Sequence, residues 1–203
     1  MPRANVREKI VEAALRLFHE RGYNASGIQD IVSRAGVPKG SFYNHFASKE
    51  ALGLEAITRD WDEDDLEVLR EEGTPPLIRV RRHFELMAGR FFASGFSRGC
   101  LLGDFGAELA NTNPAIRAKL SLTLHAWTDA VSEALREARA AGDLRADEDV
   151  ELLARFLLDA WGGCVSRGRV TRDRSAIDDF FKMSFAVVIR TPVRAGDRTE
   201  LVR

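Results

Sequence analysis

Apolar side chains recur at three- and four-residue spacing along most of the chain, and no stretch of useful length alternates apolar with polar residues. That pattern restricts the fold to packed helices, because a 3.6-residue period gathers such positions on one helix face, whereas a strand needs a period of two. Val6, Ile10, Ala13, Ala14, Leu17 and Phe18 make the first stripe, stopped at Gly22. Ile28, Ile31, Val32 and Ala35 predict a short second helix closed by Gly36. After Pro38, Phe42 and Phe46 mark a third short helix over 39–46. A fourth begins near Ser48 and carries Leu52, Ala56, Ile57 and Trp61, with the acidic run 62–65 as its solvated continuation. Gly73-Thr74-Pro75-Pro76 is a clear break. Further helices are expected around Val80 to Phe92, over 100–109, over 113–142, through Leu153, Phe156, Leu157 and Trp161, and through Ile177, Phe180, Phe181 and Phe185. The expectation is an all-α protein of about nine helices, a three-helix head followed by a larger bundle. The domain division is placed at 1–49 and 50–203, with a frayed polar tail at 191–203.

Charge is informative only in its distribution. The 203 residues carry 30 basic and 31 acidic side chains. The first fifty hold eight Lys/Arg against five Asp/Glu, a modest excess of positive charge. Two cysteines, Cys100 and Cys164, offer neither a disulfide framework nor a cysteine-rich metal site. No stretch approaches the run of about 20 apolar residues that spans a membrane. The expectation is a soluble cytoplasmic protein without cofactor or metal.

The block from Gly22 to Lys49, GYNASGIQDIVSRAGVPKGSFYNHFASK, is the most specific in the chain. Ser26-Gly27-Ile28-Gln29 reads as a capping box, with Ser26 capping the second helix and Gln29 reaching back. Ala35-Gly36-Val37 reads as a tight turn, because Gly36 can adopt a positive φ. Two short helices joined by such a turn make a helix-turn-helix, with 39–46 as the recognition helix. Lys39 and Lys49 bracket that helix with positive charge, and Gly40 permits close approach to DNA. Ser41, Tyr43, Asn44 and His45 supply donors and acceptors, while Phe42 and Phe46 anchor the helix to the core. Phosphate contacts would position such a head and base-edge contacts would select sequence.

On Gly22-Tyr23, Asp30-Ile31, AGVPKGSFYNHF and Ser48-Lys49-Glu50, the first fifty residues resemble the TetR family of transcriptional regulators. The resemblance implies DNA contacts from Gln29, Lys39, Gly40, Ser41, Tyr43, Asn44, His45 and Lys49, with Lys39 and Tyr43 on phosphate. Gly27 departs from the hydroxyl residue that many relatives carry there, so the resemblance does not carry over a hydroxyl–phosphate contact at the start of the second helix. A second signature is similar to the AcuR- and NemR-type branch of the family. It comprises Gly95-Phe96, Arg98-Gly99-Cys100-Leu101-Leu102-Gly103, Glu108-Leu109, Trp127, Arg136-Glu137-Ala138 and Ala141-Gly142-Asp143-Leu144. That branch includes acrylate-responsive and electrophile-responsive repressors.

The middle of the chain holds more large apolar groups than a bundle seam requires. Phe84, Met87, Phe91, Phe96, Cys100, Phe105, Trp127 and Trp161 are the candidate lining of a ligand cavity, with Phe156 a further candidate and His83 and His125 as possible polar groups. In the electrophile-responsive branch the cysteine of the Arg-Gly-Cys motif is the reactive sensor. A helix start and Arg98 would lower the Cys100 pKa, whereas a buried apolar setting would raise it.

One short recognition helix offers too few contacts, so the expected partners are a second copy of the chain and a near-palindromic double-stranded operator. The remaining expected partner is a small apolar or electrophilic ligand. The resemblance implies a repressor released by ligand; an activator of the same architecture and a helical dimerisation module without DNA binding are the alternatives. An enzyme is not expected, since the sequence shows no nucleophile–base signature, phosphate loop or metal-ligand spacing.

Overall fold

The computed structural model describes residues 5–61 and 64–189, and among these every regular element is helical. The helices are α1 (Val6–Arg21), α2 (Ile28–Ala35), α3 (Lys39–Tyr43), α4 (Lys49–Asp60) and the single turn α5 (Asp64–Glu67), followed by a 3₁₀ turn at Val68–Arg70. Then come α6 (Pro76–Ala93), α7 (Leu101–Leu109), α8 (Pro114–Ala140), α9 (Val150–Thr171) and α10 (Ser175–Met183), which runs into a π turn at Ser184–Val188. The tail expected to fray, 191–203, lies outside the described residues.

The chain forms two compact units, and α6 and α8 supply residues to both. One comprises Met1–Glu63 with Arg90–Ala126, the other Asp64–Gly89 with Trp127–Arg203. In the first, Ile10, Ala14, Leu17, Phe18, Ile31, Phe42, Leu52 and Ile57 are buried as the stripes select, while Val6, Ile28, Ala35 and Trp61 of the same stripes are only half-buried. In the second, Val80, Phe84, Val131, Leu135, Leu157, Trp161, Ile177 and Phe180 form the core. The rings of Phe84, Trp161 and Phe180 lie 4.9–5.6 Å apart in that core.

Helix ends follow from specific caps. The Asn5 side chain accepts the Arg7 N–H at 3.1 Å to start α1. Ser48 Oγ accepts the Ala51 N–H at 3.1 Å to start α4, and Asn113 Oδ1 accepts the Ile116 N–H at 2.9 Å ahead of Pro114. Gly36 ends α2 in the left-handed region (φ 66°, ψ 35°), as its place in the turn requires.

Four local expectations are corrected. The capping box is not built from Ser26 and Gln29: Gly27 is the N-cap of α2, and Asp30 Oδ2 accepts the Gly27 N–H at 3.0 Å. Ser26 is instead fully buried, and its hydroxyl donates to the Gly22 carbonyl at 2.7 Å, closing the turn between α1 and α2. The recognition helix ends at Tyr43; the Phe46 N–H still bonds back to the Phe42 carbonyl at 2.9 Å, so the last residues form a turn on the same anchor. Helix α4 ends at Asp60 with Trp61 as its cap, and α5 is a separate turn, so the acidic run does not continue α4; residues 62–63 lie outside the described set. Finally, Cys100 is the N-cap of α7 and not part of its body.

Candidate nucleic-acid interface

Helix α3 is five residues long, far below the length at which a helix holds itself together in water. It exists because Phe42 and Phe46 are buried, their ring centroids 5.8 Å apart, with the Arg7 guanidinium 5.1 Å over the Phe46 ring. Burying those rings turns the remaining side chains outward. Lys39, Gly40, Tyr43, Asn44 and His45 are exposed, as is Gln29 on α2, and Ser41 is half-buried. Tyr43 is 57% exposed, an unusual position for a large ring that the core could have used. A Cβ at Gly40 would meet nothing within 4 Å, so nothing inside the protein requires glycine there. A bare backbone at that point leaves room for a surface outside the protein.

Lys49 stands apart from this set. It is half-buried, with Nζ 4.2 Å from the centroid of the Tyr23 ring. Burial pushes its ammonium pKa down, and the Glu108 carboxylate partly offsets that. Glu108, on α7, accepts the backbone N–H groups of Tyr23 at 2.9 Å and Asn24 at 2.7 Å. Tyr23 also packs between Phe18 and Phe105, at 5.4 and 5.3 Å. A second junction lies at the end of α4. Asp60 Oδ1 accepts from His19 Nε2 and from the Arg98 guanidinium, both at 2.9 Å. Burial alone would raise the Asp60 pKa, but the His19 and Arg98 hydrogen bonds outweigh it and hold the carboxyl below the ordinary range. The sequence reading assigned no role to Glu108 or Asp60. Their partners lie 38–85 residues away along the chain, beyond the reach of any local pattern.

The eight candidate ligand residues are divided between the two units. Phe84, Met87, Trp127 and Trp161 are in the second; Phe91, Phe96, Cys100 and Phe105 are in the first. Phe105 is fully buried against Phe18 and Tyr23, and Phe91 packs edge-on to Phe96 at 5.3 Å. Phe84 meets Trp161 at 5.6 Å, while the Trp127 indole N–H donates to His83 Nε2 at 2.8 Å with both residues buried. Met87 is half-buried, Phe156 is 47% exposed, and His125 is exposed on α8. A cleft of ≈ 320 Å³ in the first unit is lined by Glu12, Leu15, Arg16, His19, Glu20, Ser94, Ser97 and Arg98. An open groove of ≈ 700 Å³ in the second is lined by Glu67, Val68, Glu71, Arg82, Glu85 and Leu86. None of the eight candidates lines either one.

Two effects compete at Cys100. Burial pushes its thiol pKa up; backbone hydrogen bonds from Gly103 and Leu102, at the helix start, pull it down; the Asp60 and Asp104 carboxylates push it up again. Burial wins and the thiol lies above its ordinary value, although the residue as a whole is only half-buried. Burial likewise raises Cys164. Among the described residues no cluster of three or more metal-ligating side chains occurs, and no helix is long and apolar enough to cross a membrane.

The head and its exposed short helix define a helix-turn-helix DNA-binding regulator. Residues 10–56 match the family described as bacterial regulatory proteins, tetR family, and residues 76–183 match the tetracyclin repressor-like C-terminal domain. The transcriptional repressor DhaR of Mycobacterium sp. (strain GP1) is 34% identical, covering 93% of this chain and 95% of that one. The transcriptional regulator AcuR of Cereibacter sphaeroides is 33% identical over 80% of this chain and 76% of its own. The crystal structure of a regulatory protein TetR from Rhodobacter sphaeroides superposes with a TM-score of 0.83 at 30% identity, covering 88% of this chain and 96% of that chain. The chain belongs to the TetR family of transcriptional regulators. Regulators of this family bind DNA operators, and typically pair as homodimers and take small-molecule ligands.

Proposed function

We propose that this chain is a repressor whose paired heads hold a near-palindromic operator and let go when a small apolar molecule binds the helical region. Residues 1–49 serve as the DNA-binding domain and 50–203 as the ligand-binding and dimerisation domain, working in the cytoplasm where the DNA is. The observation that carries the reading is the outward set Gln29, Lys39, Gly40, Tyr43, Asn44 and His45 around a helix anchored by Phe42 and Phe46. Lys39 and Tyr43 take phosphate, and Gln29, Ser41, Asn44 and His45 face base edges. Lys49 acts through Tyr23, with any phosphate contact secondary. Pairing is supported by apolar side chains left on the surface of the last helices: Leu152, Phe156 and Val170 on α9 and Met183 on α10 are between 47% and 84% exposed.

The test is a gel shift on DNA flanking the protein's own gene, repeated across salt concentrations. Lys39→Ala is expected to weaken operator and non-specific DNA alike and to flatten the logarithmic salt dependence by about one unit. An unchanged slope removes Lys39 from the phosphate contacts. Absence of any complex at low salt sinks the DNA-binding reading.

Of the two ligand classes, the raised Cys100 thiol supports reversible capture of an apolar molecule over attack on an electrophile. N-ethylmaleimide at pH 7 is expected to leave the operator complex in place, and Cys100→Ser to bind operator as the wild type does. Release of wild-type protein by the reagent, abolished in Cys100→Ser, reverses that choice.

A further inference from the structure

Helix C-termini expose carbonyls, not N–H groups, so a carboxylate at the end of α1 calls for an explanation. The explanation begins at Gly22. Its backbone (φ 82°, ψ 171°) turns the chain sharply out of α1, and the next two N–H groups, of Tyr23 and Asn24, face one side together. Glu108 occupies that side with one oxygen on each N–H, at 2.9 and 2.7 Å, the lengths of charge-assisted bonds. The seat is cut to the carboxylate: a Cβ at Gly22 would lie 2.2 Å from Glu108 Oε1.

Neighbouring contacts hold the pieces in register. Phe105 and Glu108, three residues apart, share a face of α7. Phe105 packs edge-on to Phe18 and Tyr23, so ring and carboxylate grip the same turn. Lys49, the first residue of α4, lies over the Tyr23 ring of the same turn. Glu50 accepts from the Asn113 side chain at 2.7 Å, four residues beyond the end of α7. Both flanks of the helix-turn-helix are thereby fastened to the stretch that begins with α7.

We infer that Glu108 is a positioning residue for DNA binding: its carboxylate latches the turn between α1 and α2 to α7 and so sets the direction in which the recognition helix points. The inference rests on the paired-head reading proposed above and deepens it, because two heads must point correctly at once to fit one operator. A single head needs no such alignment. Glu108 touches no DNA, and its contribution appears only when both half-sites are engaged.

The experiment uses the full chain, the shortest DNA fragment containing the footprint beside its own gene, and the same fragment with one half-site scrambled. Glu108→Ala is expected to lose operator affinity by about 5- to 150-fold, the usual range for coupling between sites, while affinity for the half-site DNA stays at the wild-type level. Glu108→Gln keeps one carbonyl acceptor and is expected to fall between the two. Equal loss on both DNAs, or a melting transition that loses cooperativity in both variants, assigns Glu108 to head folding and overturns the inference. Unchanged operator affinity overturns it as well. A wild-type protein that prefers the operator no more than the half-site refutes the paired-head reading, and the latch with it.

Discussion

Phe42→Ala is expected to remove the recognition helix while leaving the bundle folded. The side chain is fully buried, and truncating a buried phenylalanine costs about 3–5 kcal/mol. Most of a small head's stability is of that size. Helix α3 has little support of its own: it is five residues long, follows Pro38 without a side-chain cap and contains Gly40, so beyond Phe42 its anchor is Phe46. With the anchor gone, Lys39, Tyr43, Asn44 and His45 lose their common orientation. Operator binding should fall below detection in a gel shift. Far-ultraviolet circular dichroism should lose only the head's share of helix, and the melt should show an early step absent from the wild type. A single wild-type transition with operator binding intact would mean that Phe46 alone carries the anchor.

Gly22→Ala is the second large effect, and Gly36→Ala is its internal control. Both glycines have positive φ. Gly36 lies in the ordinary left-handed well with nothing within 4 Å of a new Cβ, so alanine there costs about 1–2 kcal/mol. Gly22 lies in a region almost reserved for glycine, where the backbone strain alone is of order 1–3 kcal/mol. Its new Cβ would also collide with Glu108 Oε1 at 2.2 Å, which forces the carboxylate off two backbone N–H groups. Chemical denaturation should therefore rank Gly22→Ala well below Gly36→Ala. Equal losses at the two positions would show that the Glu108 contact yields without cost.

The sequence made the inside and outside of most helices readable, Phe156 on α9 being an exception at 47% exposed, and left their mutual contacts unreadable. Ile10, Ala14, Leu17 and Phe18 are buried as their spacing requires, and Phe42 and Phe46 anchor a helix that shows Tyr43 and Asn44 to solvent. A stripe says that Phe105 is buried but not that its neighbours are Phe18 and Tyr23, because a ring fits any apolar face of the right shape. The same gap explains why one set of candidate ligand residues separates into aromatic clusters in two units. The cap of α2 failed for a different reason. Ser26 has the right chemistry for an N-cap, but the backbone at Gly22 brings a carbonyl within 2.7 Å of its hydroxyl first, and Asp30 takes the open N–H. Lys49 was read by its charge alone, and the Tyr23 ring beneath it belongs to a turn whose path depends on one φ angle.

The hydrogen bond from the Trp127 indole to His83 Nε2 has an optical consequence. It requires that nitrogen to be unprotonated, so the neutral ring carries its proton on Nδ1. The chain's three tryptophans are Trp61, Trp127 and Trp161, and none lies in 1–49. Light absorbed at the red edge of the indole band is therefore emitted from outside the DNA-reading face. The protein thus carries a native fluorophore, Trp127, in the same unit as Phe84 and Trp161, and changes in its surroundings can be followed without a dye.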